Sequence, residues 1–195
     1  MPRPADASKP SASWAAASPS PIEVVVKFTA QYNARAHRLL SEAGFAPLLY
    51  SCTRLYGGLD MVIMEFLLFE TLWRMKYNDD GRRQDVPESV WDDVAAALKM
   101  LHDADIVFGD LRLPNIVAVP RCAVGPHAKG GPRVRAKLID FDWAGTDGVD
   151  RYPTTLNHEL DEWAPGGGVE RYGVMRMSDD RAQLEHTKQL VRVHV

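Results

Sequence analysis

The chain has 195 residues, 46% of them hydrophobic and 25% charged, with a formal net charge of −3 and a pI near 6.1. That is enough for one globular domain, or a small pair of lobes, with a real core. The charge balance excludes the basic face of a nucleic-acid binder, and no apolar run approaches the roughly 18 residues a membrane helix needs.

The two cysteines, Cys52 and Cys122, form neither a C-x-x-C pair nor a scaffold pattern, so a reduced, intracellular and cytoplasmic setting is expected. Residues 1–21 are rich in Pro, Ala and Ser, lack periodicity and lack the hydrophobic region of a secretory signal, and read as a disordered tail. After Pro21, "IEVVVKF" is a short β-branched run and predicts a strand. "ARAHRLLSEAG" predicts a helix with Ala36, Leu39, Leu40 and Ala43 on one stripe and Gly44 as its stop. Gly57-Gly58 then separates two apolar arms, a hairpin signal, and the second arm from Met61 to Phe66 reads as a strand buried on both faces.

Residues 73–85 are polar and read as a loop. A helix is expected from Pro87, with Val90, Val94, Leu98 and Leu101 on one face, Trp91 and Ala97 beside them, and Asp85 as a cap. "NIVAV" and "RAKLIDFDW" predict two strands joined by a long, mobile Gly/Pro-rich loop. "GTDGVDRYP" reads as a loop, and a last helix is expected from about Ser178 to Val193. The element order indicates an α+β arrangement.

Three pieces carry chemistry when taken together: Lys27 in a Val-rich strand, the loop Asp110 to Asn115 after a helix, and Asp140 at a strand end. Alone, each has an ordinary explanation, as an edge lysine, a turn, or a solvated carboxylate. Their order and neighbours are more specific. "VVVKF", "AHRLLSEAGFAP", "GGLDMVIMEF", "LHDADIVFGDLRLPNI", "KLIDFDWAG" and "RYPTTLN" resemble the protein kinase-like superfamily, in family order, over about residues 22 to 190. The likeness is nearest to the kinase-like domains abundant in fungi, which are related to aminoglycoside and choline phosphotransferases.

The resemblance implies an ATP- and Mg²⁺-dependent phosphotransferase acting on a hydroxyl of a protein or small molecule, with no nucleic-acid or membrane partner. Asp110 would accept or orient the acceptor proton, and Arg112 would meet the charge of the transferring phosphate. Asn115 and Asp140 would hold Mg²⁺ through hard oxygens, and Lys27 would contact the α- and β-phosphates. Glu65, Phe66 and Leu67, with Met64, would form an inter-lobe hinge that meets the adenine. Asp180 falls where a helix Asp steadies the catalytic loop, although an acid near a helix start has a simpler electrostatic reason to be there.

The chain also departs from the pattern. Phe108-Gly109 replaces the usual His, and Asp142 replaces the glycine that follows Asp-Phe in protein kinases. The helix that should offer a Glu to Lys27 has Ala34, Arg35 and His37 at the expected place, with Glu42 further along. No glycine-rich phosphate loop precedes Lys27, and Gly166 to Gly168 come too late to serve. The expectation is a partial kinase-like fold: tail 1–21, small-lobe remnant 22–70 and large-lobe portion 71–195. It would lack the first strands and part of the large lobe, with "VVVKF" exposed as an edge open to association. An inactive pseudokinase or partner-binding module is the alternative. His102, Asp103 and Asp105 match no metal spacing, and Trp163 reads as packing.

Overall fold

The computed structural model describes residues 22–77, 85–121, 133–157 and 162–192. The N-terminal tail and most of the expected loop between "NIVAV" and "RAKLIDFDW" lie outside the described residues. No described helix is long and apolar enough to cross a membrane.

Strand β1 (Val24–Thr29) leads to helix α1 (Ala34–Glu42), then to the hairpin β2 (Leu49–Arg54) and β3 (Asp60–Glu65). The sheet order is β1-β3-β2, all antiparallel. The hairpin turns at Gly57 and Gly58, whose φ values of 90° and 81° lie where side chains are disfavoured. Among the described residues β1 pairs on one side only, as an edge, and Val24, Val26 and Phe28 along it are exposed. β3 therefore differs from the expectation of burial on both faces. Val62 and Met64 are buried, but Met61 and Ile63 are only half-buried, on the side that pairs with exposed Val26 and Phe28.

In α1, Asn33 caps the first turn by accepting from Ala36 N–H. The buried face is Ala36, His37 and Leu40, so a histidine takes the place that the sequence stripe gave to Ala43, which is exposed. Within residues 73–85, expected as a loop, a short helix α2 (Leu72–Lys76) forms instead. Thr71 Oγ1 accepts from Arg74 N–H to start it, and Leu72 is fully buried beneath it. Residues 78–84 lie outside the description.

Helix α3 (Glu88–His102) buries Val90, Trp91, Val94, Ala97, Leu98 and Leu101, as its periodicity requires. Its N-cap is Pro87 in extended conformation rather than Asp85, and no side chain caps it. β4 (Ile106–Val107) follows, then a single 3₁₀ turn (Leu113–Asn115), and the hairpin β5 (Ile116–Arg121) and β6 (Arg133–Leu138). "GTDGVDRYP", expected as a loop, contributes the two-residue strand β7 (Gly145–Thr146), which pairs with β4. Helix α4 (Met177–Arg192) closes the described chain.

The main core lies between α3, the β4–β5 connection, β5–β6 and the buried face of α1, with Phe108, Leu111, Ile116, Leu138 and Phe141 at its centre. A smaller cluster of Val107, Tyr152, Leu156 and Met175 packs with Trp143 and Trp163. The segment that carries the candidate site thus has apolar packing on both sides, while its polar side chains project from it.

Candidate active site

Asp110 lies three residues beyond β4, in a connection anchored by the buried side chains of Phe108, Leu111 and Leu113. The turn that returns Asn115 to Asp110 is stapled by its own backbone: Arg112 N–H donates to Asp110 O at 2.9 Å, and Asn115 N–H to Arg112 O at 2.9 Å. Asn115 Nδ2 then donates to Asp110 O, also at 2.9 Å. This five-residue spacing therefore leaves the amide oxygen of Asn115 and the carboxylate of Asp110 as the groups with chemistry to offer.

The Asp110 carboxylate is 5% exposed, and Arg112 grips it with two bonds, Nε to Oδ1 at 2.5 Å and Nη2 to Oδ2 at 2.9 Å. Burial raises the Asp110 pKa above the usual carboxylate range, and Arg112 opposes that rise without cancelling it. Arg112 also reaches Glu162 at 3.3 Å and lies 4.9 Å and 5.8 Å from the ring centres of Trp163 and Trp143. Those two indoles stack on each other, 5.9 Å apart. Sequence reasoning missed Glu162 and set Trp163 aside as packing. Their separation from Arg112 by about fifty residues carried no local signal, and only the chain's return past α4 brings them together.

The β5–β6 register brings the third piece in. Ile116 pairs with Leu138, and Ile139 N–H donates to Asn115 O at 3.0 Å, so Asp140 leaves the hairpin beside Asn115. Asp140 adopts φ 66°, a left-handed conformation uncommon for a non-glycine residue, and this ends the extended run. Lys27 on β1 reaches across to it: Nζ lies 2.8 Å from Asp140 Oδ1 and 2.8 Å from Asp142 Oδ1. Although burial opposes it, the two carboxylates hold the Lys27 pKa above its ordinary value. Asp142 is fixed from its other oxygen by Thr29 Oγ1 at 2.9 Å. The acid that α1 does not offer to Lys27 is thus supplied, from the Asp-Phe-Asp segment.

Between the sheet and the β5–β6 hairpin lies a cleft of about 280 Å³, lined by Val25, Lys27, Met64, Glu65, Phe66, Leu67, Val117, Ile139 and Asp140, among others. Its walls are mainly apolar, with Lys27 and Asp140 as polar groups at the site end. Glu65 lines the cleft, but its carboxylate is committed to Lys137 Nζ at 2.9 Å and Leu48 N–H at 3.0 Å. Burial works against it, but these bonds hold its pKa below the usual range. Glu65 therefore ties the sheet to β6, while Phe66 and Leu67 continue the chain along the cleft wall.

Asp180, on α4 and 2% exposed, accepts from Phe108 N–H at 2.8 Å, Gly109 N–H at 2.9 Å, and pairs with His102 Nε2 at 2.9 Å. α4 adds Thr187 Oγ1 to Leu111 O at 3.1 Å, and Gln183 bridges Glu162 O and Ala164 N–H. On the other side, Asn33 N–H and Nδ2 donate to Phe141 O and Ala144 O, tying the start of α1 to the segment after Asp140. His37 stacks on Phe141 at 4.7 Å, with Tyr32 hydroxyl on Nδ1 at 2.7 Å and Pro47 O at 2.8 Å from Nε2. The carbonyl partner requires a proton on Nε2, and burial disfavours the charged ring, so Nδ1 is left to accept from the Tyr32 hydroxyl. Burial accordingly lowers the His37 pKa.

Asp140 at the cleft end and Asn115 on the neighbouring turn offer hard oxygen donors, a set that suits Mg²⁺, which takes one or two protein side chains and completes its shell with phosphates and water. Asn115 Nδ2 is engaged by Asp110 O, which leaves its amide oxygen as the atom with lone pairs to offer, and the Asp140 side chain is 39% exposed. Among the described residues, no cluster of three or more His, Cys, Asp or Glu forms a ready-made metal cage. The residues fit a shared, substrate-completed ion.

No protein-family model matches the chain, and no curated protein matches it in sequence. Among solved structures, the kinase PK-1 of the Cydia pomonella granulovirus is similar, with a TM-score of 0.61 and 18% sequence identity. The match covers 85% of this chain and 60% of the viral one, so the chain spans 60% of that kinase's length. At this identity the likeness establishes the fold: an α+β, partial protein kinase-like arrangement.

Proposed function

We propose that this chain is a kinase-like phosphotransferase that moves the γ-phosphate of ATP to a hydroxyl of a protein or small-molecule acceptor. The observation that carries the reading is the convergence of three segments of a kinase-like fold: Lys27 and Asp140 meet at one end of an apolar cleft, and the Asp110–Asn115 loop is bonded beside Asp140 through Ile139 N–H to Asn115 O.

The apolar walls near Phe66 and Leu67 suit an adenine, which directs the phosphates toward Lys27 and Asp140. Lys27 would meet phosphate oxygens as a point charge. Asn115 and Asp140 would hold Mg²⁺, which when bound neutralises phosphate charge. Asp110 accepts the acceptor's proton, a contribution of about 10²–10⁴ in rate for a well-placed base. Arg112, resting on Asp110, is within reach to follow charge from the carboxylate to the transferring phosphate. Phosphoryl transfer asks little else of a protein than positioning and charge.

The reading is tested by calorimetric titration with Mg–ATP and by a transfer assay against hydroxyl acceptors. Asp140→Asn is expected to abolish Mg²⁺-dependent binding, and Asp110→Asn to abolish transfer while leaving binding intact. No binding at millimolar Mg–ATP would sink the reading in favour of an inactive, partner-binding module.

A further inference from the structure

Lys27 has two carboxylates within 2.8 Å, and one of them is the residue that would be drawn to a metal. Asp140 cannot direct the same oxygen at an ammonium and at Mg²⁺ without weakening one contact. Asp142 is under no such demand. It is held from behind by Thr29 Oγ1 at 2.9 Å, and its Oδ1 is buried with no aligned hydrogen bond among the described residues, where the Lys27 ammonium meets its charge. A buried carboxylate oxygen with one cationic neighbour is costly to leave, so the ion pair with Lys27 is favoured to persist. Thr29 and Lys27 lie two residues apart on β1 and therefore on one face, so the same strand anchors Asp142 and receives its charge.

We propose that Asp142 is the positioning residue for Lys27, keeping the ammonium aimed into the cleft when Asp140 turns to the metal and so replacing the acid absent from α1. This inference rests on the phosphotransferase reading for its purpose, but the contact itself is independent of activity. The residues of α1 near this place cannot do the job: Asn33 is spent on capping and on Ala144 O, and His37 is neutral and bound to Tyr32 and Pro47 O. The Asp in the Asp-Phe-Asp segment is then a relocated partner for the lysine.

The test begins with the metal-free protein. A half-buried lysine ammonium held by a buried carboxylate oxygen exchanges its protons slowly enough to give a ¹⁵N–¹H cross-peak, assigned to Lys27 by its loss in Lys27→Met. The signal is expected to persist in Asp140→Asn and to disappear in Asp142→Asn. Loss in Asp140→Asn would overturn the proposal, as would persistence in Asp142→Asn. Should Asp142→Asn fail to fold, Thr29→Val removes only the anchor, and an unbroadened signal there is equally fatal. Calorimetry with Mg–ADP supplies the second readout. Asp142→Asn is expected to weaken binding about tenfold, and to add nothing in a Lys27→Met background, because both changes remove one interaction. Additive losses would mean that Asp142 acts elsewhere. If the native chain binds no Mg–nucleotide, the phosphotransferase reading falls, while the ammonium signal still decides the role of Asp142.

Discussion

Asp180 and Gly109 are joined across 71 residues of chain by one hydrogen bond, Gly109 N–H to Asp180 Oδ1 at 2.9 Å, directly beside the proposed catalytic carboxylate. The other oxygen of Asp180 takes Phe108 N–H and His102. With Asp180 2% exposed, bulk water does not reach these bonds in the folded chain. Asp180→Ala is expected to cost about 2–5 kcal/mol, since it strands two buried N–H groups. Asp180→Asn keeps one acceptor and should cost less. Urea denaturation measures both, and equal midpoints for the native chain and Asp180→Ala would show that the loop is held by other contacts.

Gly109 is needed for a second reason. Its φ of 79° is disfavoured for any side chain, and a Cβ there would collide with Met175 Cε and lie 3.1 Å from Trp143 O. Gly109→Ala is expected to destabilise by about 1–3 kcal/mol, combining left-handed strain with overpacking. Met175→Ala in the same chain should recover only part of the loss, because neither the φ nor the Trp143 carbonyl changes. Full recovery in thermal denaturation would contradict the strain argument.

Arg112 sets the acidity of Asp110. Burial raises the Asp110 pKa, and Arg112 lowers it through its hydrogen bonds and charge. Removing the guanidinium in Arg112→Ala takes away the main influence that opposes burial, so the pKa climbs further. A base must be deprotonated to act, so the acidic limb of the transfer-rate profile should shift to higher pH in this variant. A pH profile of kcat/KM measures it. An unmoved acidic limb would mean that Asp110 does not titrate on that limb.

Much of this site was legible because its elements obey local rules. The Asp110–Asn115 spacing is closed by backbone bonds within six residues, and the α3 face follows from apolar periodicity. The partial kinase-like fold was legible from the order of these segments. What stayed hidden depended on chain return. Glu162 and Trp163 reach Arg112 in a segment that Gln183 of α4 holds through Glu162 O and Ala164 N–H, and His37 is buried where Tyr32, Pro47 and Phe141 complete its surroundings. α2 was missed because a five-residue helix lacks enough turns for a period, and its one buried residue, Leu72, lay outside the polar run. Asp142 read as a departure from the protein kinase pattern, and the contacts with Lys27 and with Thr29, which lies 113 residues away, give it partners.

His37 makes stability depend on pH in a direction that can be worked out. Its ring is fully buried and neutral, and burial lowers its folded-state pKa below the ordinary 6.5. Below 6.5 the unfolded chain takes up a proton that the folded chain refuses, so the unfolded state binds more protons and stability falls with pH. The contribution is complete above about pH 6.5 and is lost as pH drops from there toward the folded pKa, at no more than about 1.4 kcal/mol per unit for one proton. His37→Gln retains a hydrogen-bonding side chain but cannot titrate. It is expected to lower Tm at pH 7.5, through lost stacking on Phe141, while flattening the fall in Tm between pH 7 and 5. Calorimetric melts of the two proteins across that range decide it. Parallel curves would place the acid sensitivity in another group and contradict the neutral assignment of His37.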